Sequence, residues 1–190
     1  AERYYPAEKE LIASTDERFR PVNSRVGPDG ALYIADMYHG IIEHRIFIVP
    51  WLIDQIRDRK LDQGNDLGRI WRIVAEDRPI ERESPILSSA NTTDLVKTLS
   101  HPNGWHRNTA QRLLIERGEG AVELRESVRS ATPTGQLHAL WTLSGLNALD
   151  LETRLAGMQS KNENVRAAAV RLRSQRDRSP AGCPLAWFLF

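Results

Sequence analysis

The sequence predicts a mixed chain, β-rich first and α-helical after. Three observations carry that expectation. Up to about residue 78, apolar and polar residues alternate in short runs, the period of a half-buried strand. From residue 92 onward the apolar residues recur at helical spacing, with polar breaks between the runs. A small residue also returns at Ala110, Ala139 and Ala169, steps of 29 and then 30, as it does in an internal repeat.

The elements follow in chain order. Leu11 to Thr15 reads as a short strand, and Val22 to Val26 as a second. Gly27-Pro28-Asp29-Gly30 is a turn, because Pro presets φ and Gly tolerates positive φ. Ala31 to Ala35 is an apolar strand ending at Asp36. Ile41 to Val49 is rich in β-branched residues and reads as extended. Pro50 to Leu61 carries Leu52, Ile53, Ile56 and Leu61 at helical spacing behind a starting proline. Arg69 to Val74 alternates strictly. Residues 79–91, with Pro79, Pro85 and several serines, read as a linker between a unit at 1–78 and another at 92–175. In the second unit, three short amphipathic helices each precede a polar break and a longer helix. Three such pairs of about 30 residues predict a short HEAT-like α-solenoid.

Composition excludes several classes. The chain has 190 residues, 41% hydrophobic and 27% charged, with a mean hydropathy of -0.46, enough apolar material for a core. A formal net charge of +1 disfavours binding nucleic acid through bulk charge. No apolar run is long enough for a transmembrane helix. The single cysteine, Cys183, excludes an intrachain disulfide, a cysteine-based zinc site and a C-x-x-C-H haem attachment. The opening AERYYPAEKE carries no leader pattern and reads as internal to a longer chain. The tail at 176–190, ending LAWFLF, reads as disordered or artefactual.

GPDGALYIAD followed by GRIWRIV is the pattern of one blade of a β-propeller, so the first unit is expected to be a partial propeller, its last blade, with a helical insertion. A longer string is more specific: STDERFRPVN, then GPDGALYIADMYHGIIEHR, then GRIWRIV, with HPNGWHRNTAQRLLIERG and HALWTLSGL after them. It resembles large bacterial proteins, common in planctomycetes and verrucomicrobia, identified as membrane-bound or sorbosone-type dehydrogenases. The resemblance covers residues 8 to about 175. It implies a sugar-dehydrogenase propeller, then HEAT-like repeats, often followed by a c-type cytochrome domain. It also implies pyrroloquinoline quinone (PQQ) on the propeller's top face, calcium and the catalytic histidine in earlier blades, and a periplasmic or otherwise extracytoplasmic location.

In the related soluble enzymes an R-aromatic-R string binds the quinone's carboxylates. Arg18-Phe19-Arg20 is similar to that string, which marks Arg18 and Arg20 as cofactor-binding candidates. Guanidinium forks suit carboxylates. The plainer reading is that they pair with Asp16, Glu17 or Asp36 to fix the loop. Asp36, Tyr38 and His39, where a strand meets the insertion, are candidates for the substrate side. Asp29 reads as a turn residue and Trp71 as packing. His39, Glu43 and His44 miss metal-site spacing, so no metal is assigned. No nucleophile–base pairing stands out.

The function expected is therefore a fragment of a PQQ-dependent sugar, alcohol or aldehyde dehydrogenase. Its repeats would act as a spacer or docking surface toward a cytochrome c domain or another electron acceptor. One blade cannot close a propeller, so the isolated chain would be inactive. The alternative is a non-enzymatic propeller with a repeat scaffold.

Overall fold

A computed structural model describes residues 10–64, 66–77 and 86–176. The chain divides into two compact units, Ala1–Arg82 and Glu83–Phe190. Most of the expected linker and nearly all of the expected tail lie outside the described residues.

In the first unit, β1 (Pro21–Val26) and β2 (Leu32–Asp36) form an antiparallel hairpin. The turn is built as its residues demand. Gly30 has φ +79°, which a side chain resists, and Asp29 Oδ1 accepts the Ala31 N–H at 3.1 Å. The other oxygen of Asp29 accepts from the Tyr33 hydroxyl at 3.0 Å and from Arg72 Nε at 2.9 Å, tying the turn to β3 (Arg69–Ile73). β3 pairs antiparallel with β2, so Ser24, Ile34 and Trp71 stand in one row across the sheet. The connection from β2 to β3 holds α1 (Pro50–Arg59), with Pro50 in its first turn and Lys60, φ 54°, as its left-handed C-cap.

The expected partial β-propeller is not formed. Among the described residues there are seven α-helices and a single sheet of three strands in the order β1-β2-β3. A propeller blade has four strands and packs its faces on neighbouring blades. Here β1 and β3 are both edge strands, and every residue in them is exposed. The turn and the alternation that suggested a blade are satisfied equally by a three-stranded meander. Leu11 to Thr15 is not a strand, and the β-branched run at Ile41 to Val49 is irregular, with a 3-10 turn at Arg45–Phe47. Chain connectivity outweighs propensity there, because that run has no strand beside it.

The second unit is helical: α2 (Thr92–Thr98), α3 (Gly104–Arg117), α4 (Ala121–Ser130), α5 (Pro133–Gly145), α6 (Leu151–Met158) and α7 (Glu163–Arg176). Side chains of Asn91, Asn103, Thr132 and Asp150 cap α2, α3, α5 and α6 by accepting N–H groups of the first turn. The helices pack in pairs, α2 with α3, α4 with α5 and α6 with α7. The pairs then stack in two layers, with α2, α4 and α6 in one and α3, α5 and α7 in the other. Ala110, Ala139 and Ala169 are each fully buried between the layers, where a small side chain allows close approach. Gly157 does the same: a Cβ there would lie 3.1 Å from Leu140 Cδ1 and 3.2 Å from Ala169 Cβ.

The repeat extends to side-chain contacts. Arg107 Nη1 donates to the carbonyls of His101 and Pro102 at 2.6 and 2.7 Å. Arg166 Nη1 donates to the carbonyls of Ser160 and Lys161, both at 2.9 Å. Each arginine thus reaches back five and six residues to hold the break before its own helix.

Candidate functional site

The residues that the sequence marks in the first unit gather around Asp36, at the end of β2. Asp36 is 3% exposed. Its Oδ1 accepts the backbone N–H of Arg20 at 2.8 Å and of Tyr38 at 2.9 Å, and its Oδ2 accepts the indole N–H of Trp71 at 2.9 Å. Burial works to raise its pKa. The hydrogen bonds from Trp71 and the two amides, with Arg69 nearby, outweigh that and hold the carboxyl below its ordinary value. An ionised carboxylate with three donors on it is a structural anchor, and it has no proton to trade.

Tyr38 is held in the left-handed region, φ 52°, which is costly for a bulky side chain. Asp36 Oδ1 accepts the Tyr38 amide N–H in that conformation. The Tyr38 hydroxyl donates to Asp16 Oδ2 at 2.7 Å, and the Arg69 guanidinium lies 3.6 Å from the Tyr38 ring centroid. The hydrogen bond to Asp16 raises the Tyr38 pKa. Asp16 is shifted down, first by the Arg18 backbone N–H and then by the Tyr38 hydroxyl.

Arg18 and Arg20 are positioned differently from each other. Arg18 Nη2 donates to the carbonyls of Lys60 at 2.8 Å and Arg59 at 3.4 Å, closing the C-terminal end of α1. Arg20 Nη1 donates to the carbonyl of Phe19 at 3.0 Å. Neither guanidinium forms an ion pair among the described residues, and Glu17 pairs with Arg59 at 2.8 Å instead. With Arg18 engaged on a helix end, the two arginines do not by themselves fit a pair of quinone carboxylates. His39 is partly buried and makes no side-chain hydrogen bond among the described residues. Asp36, Tyr38 and the Arg20 backbone are thus brought together, Arg18 joins them only through Asp16, and His39 stands apart.

The role of Trp71 and the presence of Arg69 escaped sequence reasoning, whereas Asp16 was named there as a residue that fixes the arginine loop. Trp71 is 43% exposed and hydrogen-bonded to Asp36, where packing was expected. Arg69 carries no motif. The only signal for Arg69 and Trp71 was register, since β3 pairs with β2 so that Arg69 faces Asp36 and Trp71 faces Ile34. No group of three or more His, Cys, Asp or Glu side chains able to hold a metal occurs among the described residues. No helix among them is long and apolar enough to cross a membrane.

A second polar cluster lies in the helical unit. Arg107 Nε donates to His138 Nε2 at 3.2 Å, so His138 Nδ1 carries the proton and donates to Gln111 Oε1 at 2.7 Å. Burial and then the Arg107 charge push the His138 pKa down to about 4. The imidazole is neutral and committed on both nitrogens, which makes it a joint between α3 and α5.

A family model described as a domain of unknown function, DUF7133, matches residues 1–77. No curated protein and no solved structure matches the chain.

Proposed function

We propose that this chain is a non-catalytic part of a larger assembly, with the helical unit serving as a protein-docking scaffold. The observation that carries the reading is the two-layer stack of helix pairs, an architecture that presents extended side-chain surfaces rather than a closed pocket. The polar clusters agree with it. Asp36, Asp16 and His138 all spend their hydrogen-bonding capacity on neighbouring residues. None of them is paired with a nucleophile among the described residues.

The quinone-dehydrogenase reading is the second one, favoured by Arg20, whose guanidinium is held by one carbonyl only. It draws otherwise on the sequence resemblance. A titration of PQQ into the full chain, with and without calcium, separates the two. The scaffold reading expects no saturable binding. Micromolar binding that is lost in Arg20→Ala would overturn it in favour of a cofactor-binding part of a dehydrogenase.

A further inference from the structure

Arg69 is held beside two anchored aromatic rings without a counterion of its own. Its guanidinium lies 3.6 Å from the Tyr38 ring centroid and 5.7 Å from that of Trp71. Both rings are fixed at their polar ends. The Tyr38 hydroxyl donates to Asp16 Oδ2 at 2.7 Å, and the Trp71 indole N–H donates to Asp36 Oδ2 at 2.9 Å. The other oxygens of the two acids are also taken, Asp16 Oδ1 by the Arg18 N–H at 2.9 Å and Asp36 Oδ1 by the amides of Arg20 and Tyr38. Among the described residues Arg69 makes one hydrogen bond, from Nε to the Leu67 carbonyl at 3.2 Å, and no ion pair. Both terminal nitrogens of this exposed side chain are therefore left without an acceptor there.

An arginine with a purely structural task pairs with the acids beside it. Here two ionised acids stand close and orient the rings instead. Tyr38 holds φ 52° to take part, and strain of that kind persists only where the surroundings enforce it. The result is a planar fork stacked on one ring, pre-oriented and with its charge unpaired. Three guanidiniums, Arg18, Arg20 and Arg69, stand against two carboxylates, Asp16 and Asp36, because Glu17 is paired with Arg59. That surplus of one suits a monoanion, whereas a phosphate dianion would meet two like charges. Trp71, 43% exposed, adds an apolar surface next to the fork. We infer that Arg69 binds the carboxylate of a small organic acid whose apolar body rests on the Trp71 ring. The inference goes beyond the scaffold reading, which concerns the helical unit, and it uses neither guanidinium of Arg18-Phe19-Arg20.

The probe is benzoate, titrated into the isotope-labelled full chain at constant ionic strength. The Trp71 indole N–H and Arg69 Nε–H resonances are followed. Both should shift saturably, with a Kd of about 1 mM for so small a ligand. Acetate, which has no ring to lay on Trp71, should bind about tenfold more weakly. Arg69→Lys keeps the charge and loses the fork, and should weaken benzoate about tenfold or more. A retained Trp71 indole resonance in that variant reports an intact fold. Benzoate that shifts neither resonance in the wild-type chain would overturn the inference without recourse to any variant. Equal binding to the wild-type and Arg69→Lys chains would also overturn it. Inorganic phosphate binding as tightly as benzoate would mark a plain anion site and overturn the carboxylate assignment. Binding lost in Arg20→Ala and kept in Arg69→Lys would move the ligand to the arginine of the quinone reading, again overturning it.

Discussion

Asp36 holds Trp71 by its indole N–H at 2.9 Å, across two paired strands and 35 residues of sequence. The same carboxylate holds the amides of Arg20 and Tyr38. One buried side chain thus joins the start of β1, the end of β2 and the middle of β3. The first unit has two exposed edge strands and few buried apolar residues, so this anchor carries an unusual share of its order.

Asp36→Ala should destabilise the first unit by about 3 kcal/mol, because three donors lose a charged acceptor. Urea unfolding followed by the indole N–H resonance of Trp71 reads the change. The pH dependence has a definite sign. A carboxyl whose folded pKa is lowered stabilises fully above its unfolded value of about 4, and that contribution fades as pH falls through the folded value. Wild type should therefore lose stability in acid faster than Asp36→Asn does.

His138 gives the same sign in the second unit from a different cause, the burial of an imidazole. Its folded pKa of about 4 lies below the ordinary imidazole value of 6.5, so the unfolded state binds the proton more readily. Stability should be full above the unfolded value and fall as pH drops from 6.5 towards about 4. The loss is roughly 2 kcal/mol once solvent screening of this partly exposed ring is allowed for. In His138→Gln the slope across that window should flatten, and the imidazole proton shifts of wild type should titrate near 4.

Asp150 has two tasks, and two variants separate them. It caps α6 by accepting the Thr153 N–H at 2.8 Å, and it accepts from Arg125 Nε at 2.7 Å. The Thr153 hydrogen bond is the largest cause that brings its pKa down to about 2. Asp150→Asn keeps a cap and loses the ion pair, which is partly exposed, for a cost below about 1 kcal/mol. Asp150→Ala loses both and should cost about 1–2 kcal/mol. Equal midpoints in guanidinium chloride for the two variants would contradict this division.

Gly157→Val should disturb the stack more than its size suggests. A single Cβ already comes within 3.1 Å of Leu140 and 3.2 Å of Ala169, both fully buried. Overpacking of that kind costs about 1–3 kcal/mol. Thermal unfolding of the chain should shift downward, with Gly157→Ala between the variant and wild type.

What could be read from the sequence has a local cause. The turn at Gly27 to Gly30, the helix starts at Pro50 and Pro133, and the return of Ala110, Ala139 and Ala169 each depend on residues a few positions apart. Backbone geometry and helical period fix such features wherever the chain sits. Asp36 and Tyr38 were visible too, as polar residues at the end of an apolar strand. Strand number was not. Alternation reports that one face is buried, and it is the same for a three-stranded meander as for a propeller blade, so the expected blade gave way to β1-β2-β3. The partners of Asp36 were equally hidden, because Trp71 and Arg69 reach it only once β3 is in register with β2. The same holds for Arg18, which the resemblance marked for a cofactor and the fold turns to the carbonyls ending α1. Local sequence determined the turn, the helices and the breaks between them, but not whether the runs at Leu11 to Thr15 and Ile41 to Val49 became strands. Only the tertiary structure decided which distant donors meet which acceptors, since those contacts depend on register and packing between segments that no short-range pattern encodes.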